Sequence, residues 1–214
     1  MFLGGTSIRI VHNSTRFSED LVFDNLLGLN QKDFSLIGDT IQYKLSLEGY
    51  QVEIKNIMKA SAYCCYVKFP GLLYEQNISG HKKEKILIQL DTEPQNYEYL
   101  PDKFLLDKFG IFRYINVTPL PLLMAQKICA CFHRKRAKGR DFFDVVFLSS
   151  KTMPDFNYLS KYAKIKTKQD LVEKLELKAK NLDMKLLAKD IEFFLFEPSQ
   201  KNRVLYFIDW LKTL

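Results

Sequence analysis

The chain has 214 residues, of which 47% are hydrophobic and 27% charged, so it predicts one substantial core or two small domains and excludes wholesale disorder. Its formal net charge of +7 favours an anionic partner, with nucleic acid ahead of a membrane surface. No apolar run approaches the roughly 18 residues that span a bilayer, and the N-terminus lacks a signal-peptide pattern. We therefore expect a cytoplasmic protein with no membrane segment.

The first predicted elements lie in residues 3–24, LGGTSIRIVHNSTRFSEDLVFD. Residues 1–3 supply a short incoming strand, Gly4 and Gly5 form a turn, and a helix is predicted to begin at Thr6. Glycines let the backbone approach a phosphate closely, and the free N–H groups of a helix start point at such an anion. The alternating residues 20–24 predict a strand whose carboxylates can hold Mg²⁺ against the same phosphates.

The middle of the chain predicts a helix followed by strands. Residues 30–49 place apolar side chains at helical spacing, with Asn30 as the N-cap and Gly49 at the end. We expect this helix to cover one face of a sheet. Residues 50–91 alternate and predict two or three strands, with an exposed basic turn at residues 80–85, and residues 112–117 predict a last strand.

From Thr118 onwards the period is helical. Thr118 is a suitable N-cap and Pro119 suits the first helical position, and three further helical segments cover residues 168–183, 184–196 and 202–214. We predict the α+β class, with a small mixed β-sheet in a domain of residues 1–117 and a helical bundle in a domain of residues 118–214. No strand is expected after about residue 118.

The N-terminal segment resembles the opening motif of the AbiEii/AbiGii toxin family, within the nucleotidyltransferase (polymerase-beta-like) superfamily. In that motif a Gly-Gly-Thr turn, an Arg-Phe-Ser and an Asp-Leu-Asp occur together. The resemblance implies that Asp20 is a catalytic, metal-binding acid. It also implies nucleotide-binding roles for Gly4, Gly5, Thr6, Arg16 and Ser18.

One position departs from this motif. Where the family has the second acid of its Asp-x-Asp pair, this chain has Val22. Asp24 shares the strand face of Asp20 but lies about 6.5 Å beyond the lost acid, too far to replace it without a bulge or a shifted metal. Gln89 and Asp91 are the two possible positions of the third carboxylate. The predicted metal ligands are Asp20, Asp24 and Asp91, and Asp91 as a simple strand-end residue is the alternative.

Residues 119–148 resemble the family's later motif, in which a helix with Ala-x-Lys precedes Arg-Asp-aromatic-aromatic-Asp. The match implies that Lys127 and Asp141 are catalytic and that Arg140 binds nucleotide, and it places Asp144 at the last motif position. Two alternatives remain open. Lys127 can lie on a solvated helix face, and Arg140 with Asp144 can form an ordinary surface pair.

The resemblance implies that Gly5, Asp20, Lys127 and Asp141 surround one pocket for a nucleoside triphosphate with Mg²⁺ or Mn²⁺. It further implies nucleotidyl transfer to an acceptor hydroxyl, with RNA such as tRNA as acceptor. The protein would act as the toxin of an abortive-infection toxin–antitoxin system with a cognate antitoxin. Two alternatives are a catalytically degenerate nucleotide- or RNA-binding module, which Val22 favours, and a protein-interaction module that binds the antitoxin.

The cysteines and histidines suggest no further chemistry. The four cysteines, Cys64, Cys65, Cys129 and Cys131, lie in apolar stretches without zinc-site spacing, so we predict buried free thiols. The three histidines form no paired ligand motif.

Overall fold

The computed structural model describes residues 1–60 and 62–214. These residues have the predicted α+β architecture, with one mixed sheet of seven strands. The strands are β1 (Phe2–Leu3), β2 (Leu21–Asp24), β3 (Glu53–Met58), β4 (Tyr63–Pro70), β5 (Lys85–Glu93), β6 (Asp102–Lys108) and β7 (Ile111–Val117). The helices are α1 (Gly4–His12), α2 (Gln31–Leu47), α3 (Leu72–Glu75), α4 (Leu120–His133), α5 (Gly139–Ser149), α6 (Phe156–Ala163), α7 (Lys168–Lys180), α8 (Met184–Glu192), α9 (Asn202–Leu205) and α10 (Phe207–Leu211).

The described chain divides into two compact units. The first unit comprises Met1–Ser7, Glu19–Tyr99 and Phe104–Val117. The second comprises Ile8–Ser18, Leu100–Lys103 and Thr118–Leu214. The division of the chain at residue 117 into a sheet domain and a bundle domain stays a prediction.

In the first unit the strand order is β3-β4-β5-β2-β1-β7-β6. β2 runs parallel to β5 and β1 runs parallel to β7, whereas the pairs β1–β2, β3–β4 and β4–β5 are antiparallel. The short incoming strand predicted for residues 1–3 is confirmed, because Phe2 pairs with Phe23 on one side and with Val117 on the other. β1 therefore inserts the N-terminus into the middle of the sheet, directly before Gly4.

The two faces of β4 differ in burial. Cys65 and Val67 are buried, whereas Cys64 and Tyr66, which alternate with them, are only half-buried. The buried face packs with Phe34 of α2 in one hydrophobic cluster, as expected for a helix that covers one side of a sheet. The opposite face of β4 is therefore available to build a site.

The predicted start of α2 is confirmed, and that of α4 is wrong. Asn30 caps α2 in a capping box with Asp33, which satisfies backbone N–H groups at the helix start. α4 begins at Leu120 with Pro119 as its N-cap, not Thr118. Pro119 has a ψ of 141°, which is not helical, so the helix begins one residue later.

In the second unit the helices bury an aromatic and aliphatic core. Phe142 of α5 meets Phe207 of α10 edge to face, with ring centroids 5.1 Å apart. Within residues 1–60 and 62–214 no strand follows Val117, as predicted. Among the same residues no helix has the length and apolar character needed to cross a membrane.

Gly139, the first residue of α5, packs against the backbone of α8. A Cβ at this position would lie 2.1 Å from the Leu187 carbonyl oxygen, and this backbone atom cannot rotate away. We expect Gly139→Ala to lower the free energy of unfolding by about 3 kcal/mol or more, at the upper end of overpacking effects. Urea unfolding measures this change. Gly80→Ala is the control, because a Cβ at Gly80 would meet nothing within 4 Å, and equal midpoints for the two variants would contradict the expectation.

Candidate functional site

The Gly-Gly turn lies directly against β2. Gly4 has a φ of +78°, a conformation that favours glycine. α1 begins at Gly4 rather than at the predicted Thr6, and Thr6 Oγ1 donates a 2.6 Å hydrogen bond to the Asp20 carbonyl oxygen. The first turn of α1, whose N–H groups have no partners within the helix, is thus fixed beside the strand that carries the predicted acids.

Val22 occupies the space beside this turn. A Cβ on Gly4 would lie 3.2 Å from Val22 Cβ and 3.3 Å from Val22 Cγ2. Val22 Cβ and its Cγ2 methyl group therefore lie against the Gly4 turn, at the position where the family motif has an acid. This contact makes the departure at Val22 a structural feature of the site.

Strand register places a second acid opposite Val22. Val22 of β2 pairs with Asp91 of β5, and Asp91 pairs with Cys64 of β4. Paired residues share a sheet face, so these three side chains form a row on the face opposite the α2-covered core. Gln89 Nε2 donates a 2.8 Å hydrogen bond to Asp91 Oδ2. The sequence analysis left Gln89 and Asp91 as the two possible positions of the third carboxylate. The strand pairing places Asp91, and not Gln89, beside Val22.

Cys64 and Tyr66 complete this face, and the sequence analysis gave neither a role. Burial and, to a smaller extent, the hydrogen bond with Asp91 raise the pKa of the Cys64 thiol to about 11, so the thiol stays protonated at neutral pH. The pKa of Tyr66 is raised mainly by its hydrogen bond with Cys64, and also by the charges of Asp91 and Asp20. Both carboxylates therefore act on the Tyr66 hydroxyl. In the sequence, the alternation of residues 63–70 indicates that Cys64 and Tyr66 lie on the same face of a strand.

A cavity of about 240 Å³ opens beside the same row. Val22, Cys64 and Asp91 line it together with Lys59, whose side chain is exposed. The cavity thus has an apolar wall at Val22, one cationic group, Lys59, and two carboxylates, Asp91 and Glu93. These are the features of a site that orients a polar ligand through a small number of contacts.

Asp24 is used elsewhere in the first unit. It is buried, and its carboxylate accepts hydrogen bonds from the Gln95 backbone N–H at 3.1 Å and from the Tyr99 hydroxyl at 2.8 Å. A metal at Asp24 would have to compete with both donors. Its predicted role as a metal ligand stays a prediction.

The carboxylates of this face can supply some, but not all, of the ligands that one Mg²⁺ ion needs. Among the described residues no group of three or more His, Cys, Asp or Glu side chains is arranged to hold a metal ion. Asp20 and Asp91 both lie close enough to Tyr66 to influence its pKa. Mg²⁺ is commonly held by one or two carboxylates together with substrate phosphates. The donor set thus fits a single Mg²⁺ bound jointly with a triphosphate, and it does not fit an all-protein cage.

The second unit contains a buried ion cluster around Asp144. Arg16 is 1% exposed, and its Nε and Nη2 atoms each donate a 2.6 Å hydrogen bond to the Asp144 carboxylate. Lys127 Nζ lies 2.8 Å from Asp144 Oδ2, and the lysine side chain is 12% exposed. The alternatives of a solvated Lys127 and of a surface pair between Arg140 and Asp144 are therefore wrong. The N-terminal and later motifs meet at this carboxylate.

The charges of this cluster are mutually stabilised. Burial raises the pKa of Asp144, but Lys127 and Arg16 act in the opposite direction and outweigh burial, so the pKa lies below its ordinary value. Burial lowers the pKa of Arg16, but Asp144 more than compensates and the pKa is raised. Both groups therefore remain charged at neutral pH.

Asp141 is the second carboxylate of the cluster. It is fully buried, with Oδ2 2.7 Å from Arg134 Nε and Oδ1 3.7 Å from Lys127 Nζ. Neither ion pair has hydrogen-bond geometry, and both Asp141 oxygens lack a hydrogen-bond partner. Arg134, which the sequence analysis treated only as part of a basic stretch, is the exposed member of the group.

The structure assigns no nucleotide contact to the remaining residues that the sequence analysis predicted to bind nucleotide. Ser18 and Arg140 are both half-buried in the second unit. The guanidinium of Arg16 is engaged by Asp144 and by the Phe17 carbonyl oxygen, so a contact of Arg16 with nucleotide stays a prediction. The shared pocket predicted for Gly5, Asp20, Lys127 and Asp141 likewise stays a prediction, because these residues belong to different units.

A family model described as the nucleotidyl transferase AbiEii toxin of a type IV toxin–antitoxin system matches residues 1–203. Neither the curated proteins nor the solved structures contain a significant match to the chain.

Proposed function

Since the chain belongs to the AbiEii family of nucleotidyl transferase toxins from type IV toxin–antitoxin systems, we propose that it transfers a nucleotide from a nucleoside triphosphate to an acceptor hydroxyl. The observation that carries the proposal is the Gly4 turn fixed against β2, next to Asp91 on the sheet face and with Asp20 close enough to act on Tyr66 of the same face. A backbone cradle beside two carboxylates is the arrangement that binds a triphosphate with a hard cation.

Each group has a distinct part in the proposed reaction. Gly4, Gly5 and Thr6 hold the phosphates by backbone N–H groups, and the cavity beside Val22 takes part of the nucleotide. Asp20 and Asp91 would hold Mg²⁺ or Mn²⁺, which would supply charge stabilisation at the α-phosphate. The acceptor oxygen attacks the α-phosphorus, the bond to the bridging oxygen breaks and pyrophosphate leaves, while the hydroxyl proton passes to a carboxylate.

The ion cluster of the second unit supports a role with phosphate. Arg16, Lys127 and Arg134 carry three positive charges, and Asp141 and Asp144 carry two negative ones, which leaves one positive charge. Lys127 and Arg134 retain partial exposure. We assign to Lys127 the neutralisation of phosphate charge, with Asp144 at 2.8 Å as the carboxylate that orients it and Asp141 at 3.7 Å as the second carboxylate beside it.

The acceptor and the partner belong to the same proposal. An RNA acceptor, with tRNA as one example, agrees with the net charge of +7. The family description implies a cognate antitoxin, and we place the action of the toxin in the cytoplasm.

A degenerate nucleotide-binding module is the second candidate. The contact of Val22 with the Gly4 turn favours it, because an apolar side chain there removes one ligand and one negative charge from the metal site. Binding of nucleotide without turnover would distinguish this module from the enzyme.

One labelling experiment separates the two functions. Each α-labelled nucleoside triphosphate is incubated with the protein, Mg²⁺ or Mn²⁺, and total RNA, and label is then sought on RNA and on protein. We expect transfer by the parent, none by Asp20→Asn, and unchanged transfer by Asp39→Asn, which removes an exposed carboxylate on α2. Absence of label in all samples, together with measurable nucleotide binding, would instead support the degenerate module.

A further inference from the structure

Helix α2 carries a second apolar stripe on the side that faces away from the sheet. Its inner side packs on the sheet through Phe34 and Gly38, both buried. Leu36 and Ile37, on the outer side, are 66% and 36% exposed. There an open groove of about 490 Å³ is lined by Leu29 and by six residues of α2, which we call the outer stripe: Asp33, Leu36, Ile37, Thr40, Ile41 and Lys44. A helix that is apolar on two sides is usually covered on both, because each apolar side gains free energy by leaving water.

The polar groups of the outer stripe are compatible with burial. Thr40 Oγ1 donates a 2.7 Å hydrogen bond to the Leu36 carbonyl oxygen, so covering this hydroxyl would leave no donor unpaired. Asp33 Oδ2 accepts a hydrogen bond from the Asn30 N–H in the capping box, which fixes the first turn of the helix. The outer stripe is therefore an ordered and largely apolar surface with one charge at each end.

The outer stripe is symmetric about its own midpoint, which lies between residues 38 and 39. Asp33 and Lys44 lie at equal distances from this point and about 16 Å apart along the helix. The positions between them also form equidistant pairs, Leu36 with Ile41 and Ile37 with Thr40. Both charged side chains are exposed, and within residues 1–60 and 62–214 neither has an ion-pair partner. A surface with this pattern is complementary to a copy of itself turned end to end.

The other charges of α2 do not disturb this pattern. Among the described residues that line the groove, Asp33 and Lys44 are the only charged ones. At about 100° per residue, Lys32 and Asp39 lie more than about 100° around the helix from the centre of the outer stripe. Glu48, the C-cap residue, lies one turn beyond Lys44 and outside the groove. The charge pairing across the groove is therefore set by Asp33 and Lys44.

We propose that the outer stripe is a homodimer interface, in which the α2 helices of two copies of this chain pack antiparallel about a two-fold axis through the midpoint. Asp33 of each copy then faces Lys44 of the partner subunit, and the apolar side chains between them are buried. A parallel pair would set Asp33 against Asp33 and Lys44 against Lys44, and like charges repel. The charge pattern thus selects both the occupant and its direction.

The size of the outer stripe determines the strength of the association. Six residues are fewer than the roughly 20–30 residues a side of a standard interface. Tyr43 and Leu47, which are 62% and 68% exposed, lie one turn from Thr40 and Lys44 and widen the contact. The dimer should therefore form in a concentration-dependent way. This inference goes beyond the proposed nucleotide transfer and does not rest on it.

Sedimentation velocity of the full chain over a range of concentrations measures the association. We expect a monomer–dimer equilibrium in the parent, and we expect Leu36→Glu to weaken it by at least about tenfold. Each dimer of this variant loses two buried apolar side chains and gains two like charges near the axis. Leu177→Glu is the matched control, because Leu177 is 65% exposed on α7 of the second unit and should leave the equilibrium unchanged. Since both leucines are exposed, both variants should unfold at nearly the temperature of the parent.

Charge reversal tests the antiparallel direction. Asp33→Lys alone and Lys44→Asp alone each set like charges against each other at both ends of the interface, so each variant should dimerise less than the parent. An equimolar mixture of the two variants restores opposite charges at both ends and should form a heterodimer. Lys32→Asp is the control for Lys44→Asp, because Lys32 lies away from the outer stripe. The mixture also controls for the capping hydrogen bond that Asp33→Lys removes, since that loss is the same with and without the second variant.

Three outcomes would overturn the proposal. A parent that is monomeric at every concentration would leave the outer stripe to a different protein. A dimer that Leu36→Glu and Leu177→Glu weaken equally would form through another surface. A mixture of Asp33→Lys and Lys44→Asp that associates no better than either variant alone would exclude the antiparallel pairing.

Discussion

Val22→Asp is expected to strengthen Mg²⁺-dependent nucleotide binding and to raise any transfer activity. The new carboxylate would stand opposite Asp91, its cross-strand neighbour, and beside the Gly4 turn. A hard cation there would gain one oxygen ligand and one negative charge. Since even outer-shell groups change metal affinity about 10-fold to 100-fold, we expect an effect of at least that size on the Mg²⁺ requirement.

Stability provides a second measurement for the same variant. Without metal, a third carboxylate near Asp20 and Asp91 adds repulsion, so Val22→Asp should unfold at a lower temperature than the parent. With Mg²⁺ and a nucleoside triphosphate the order should reverse, because ligand binding stabilises the folded state in proportion to its affinity. Calorimetric titration of metal and nucleotide gives the affinities, and thermal unfolding gives the stabilities.

Val22→Asn and Asp20→Ala are the controls for this result. The amide has nearly the shape of the carboxylate but no charge, so Val22→Asn should gain little affinity, and Asp20→Ala should abolish metal-dependent binding. A parent that already binds as tightly as Val22→Asp would show that another carboxylate completes the site. The degenerate-module alternative would then lose its main support.

The sequence contained the local features of the fold but not its long-range register. The capping box at Asn30 and the change of period near Thr118 are local patterns, and both identified real elements. β6 was missed because Leu105 and Leu106 are consecutive apolar residues, which interrupts the alternation that marks a strand. The start of α4 was predicted one residue too early, because sequence patterns locate a helix end only to within one or two residues.

The site shows the same limit. The motifs named Lys127, Asp141 and Asp20, but the pairing of Val22 with Asp91 depends on how two distant strands meet. Periodicity cannot supply that register, since every second residue of β5 satisfies the same pattern. The alternation of β4 shows that Cys64 and Tyr66 share a face, but their place in the site becomes clear only once Cys64 is known to pair with Asp91.

Arg16 and Asp144 are separated by 128 residues, and nothing local in the sequence predicts their contact. Their hydrogen bonds give the Arg-Phe-Ser segment and the later Asp a structural role within one unit. A residue assigned to nucleotide by resemblance is here the buried partner of a carboxylate, together with Lys127.

Asp144→Asn is therefore expected to be strongly destabilising. The substitution leaves the guanidinium of Arg16, which is 1% exposed, without its anionic partner. Loss of one member of a buried ion pair costs about 3–5 kcal/mol, a large part of the roughly 5–15 kcal/mol that stabilises a typical domain. Urea unfolding should show a correspondingly lower midpoint. Glu176→Gln is the matched control, because Glu176 pairs with Lys180 on the exposed surface, where solvent screens the interaction and its loss should change stability little.

The pH dependence of unfolding tests the electrostatic origin of this effect. The pKa of Asp144 is lower in the folded protein than its ordinary value, so the folded state binds fewer protons than the unfolded state at low pH. The stabilisation is then fully present above the unfolded pKa of about 3.9 and is lost as the pH falls through the folded pKa. Asp144→Asn should lack this acid-side loss. Arg16→Met/Asp144→Leu should recover stability relative to Asp144→Asn, since an apolar pair removes the unpaired buried charge, and failure to recover would show that Lys127 depends on Asp144 as much as Arg16 does.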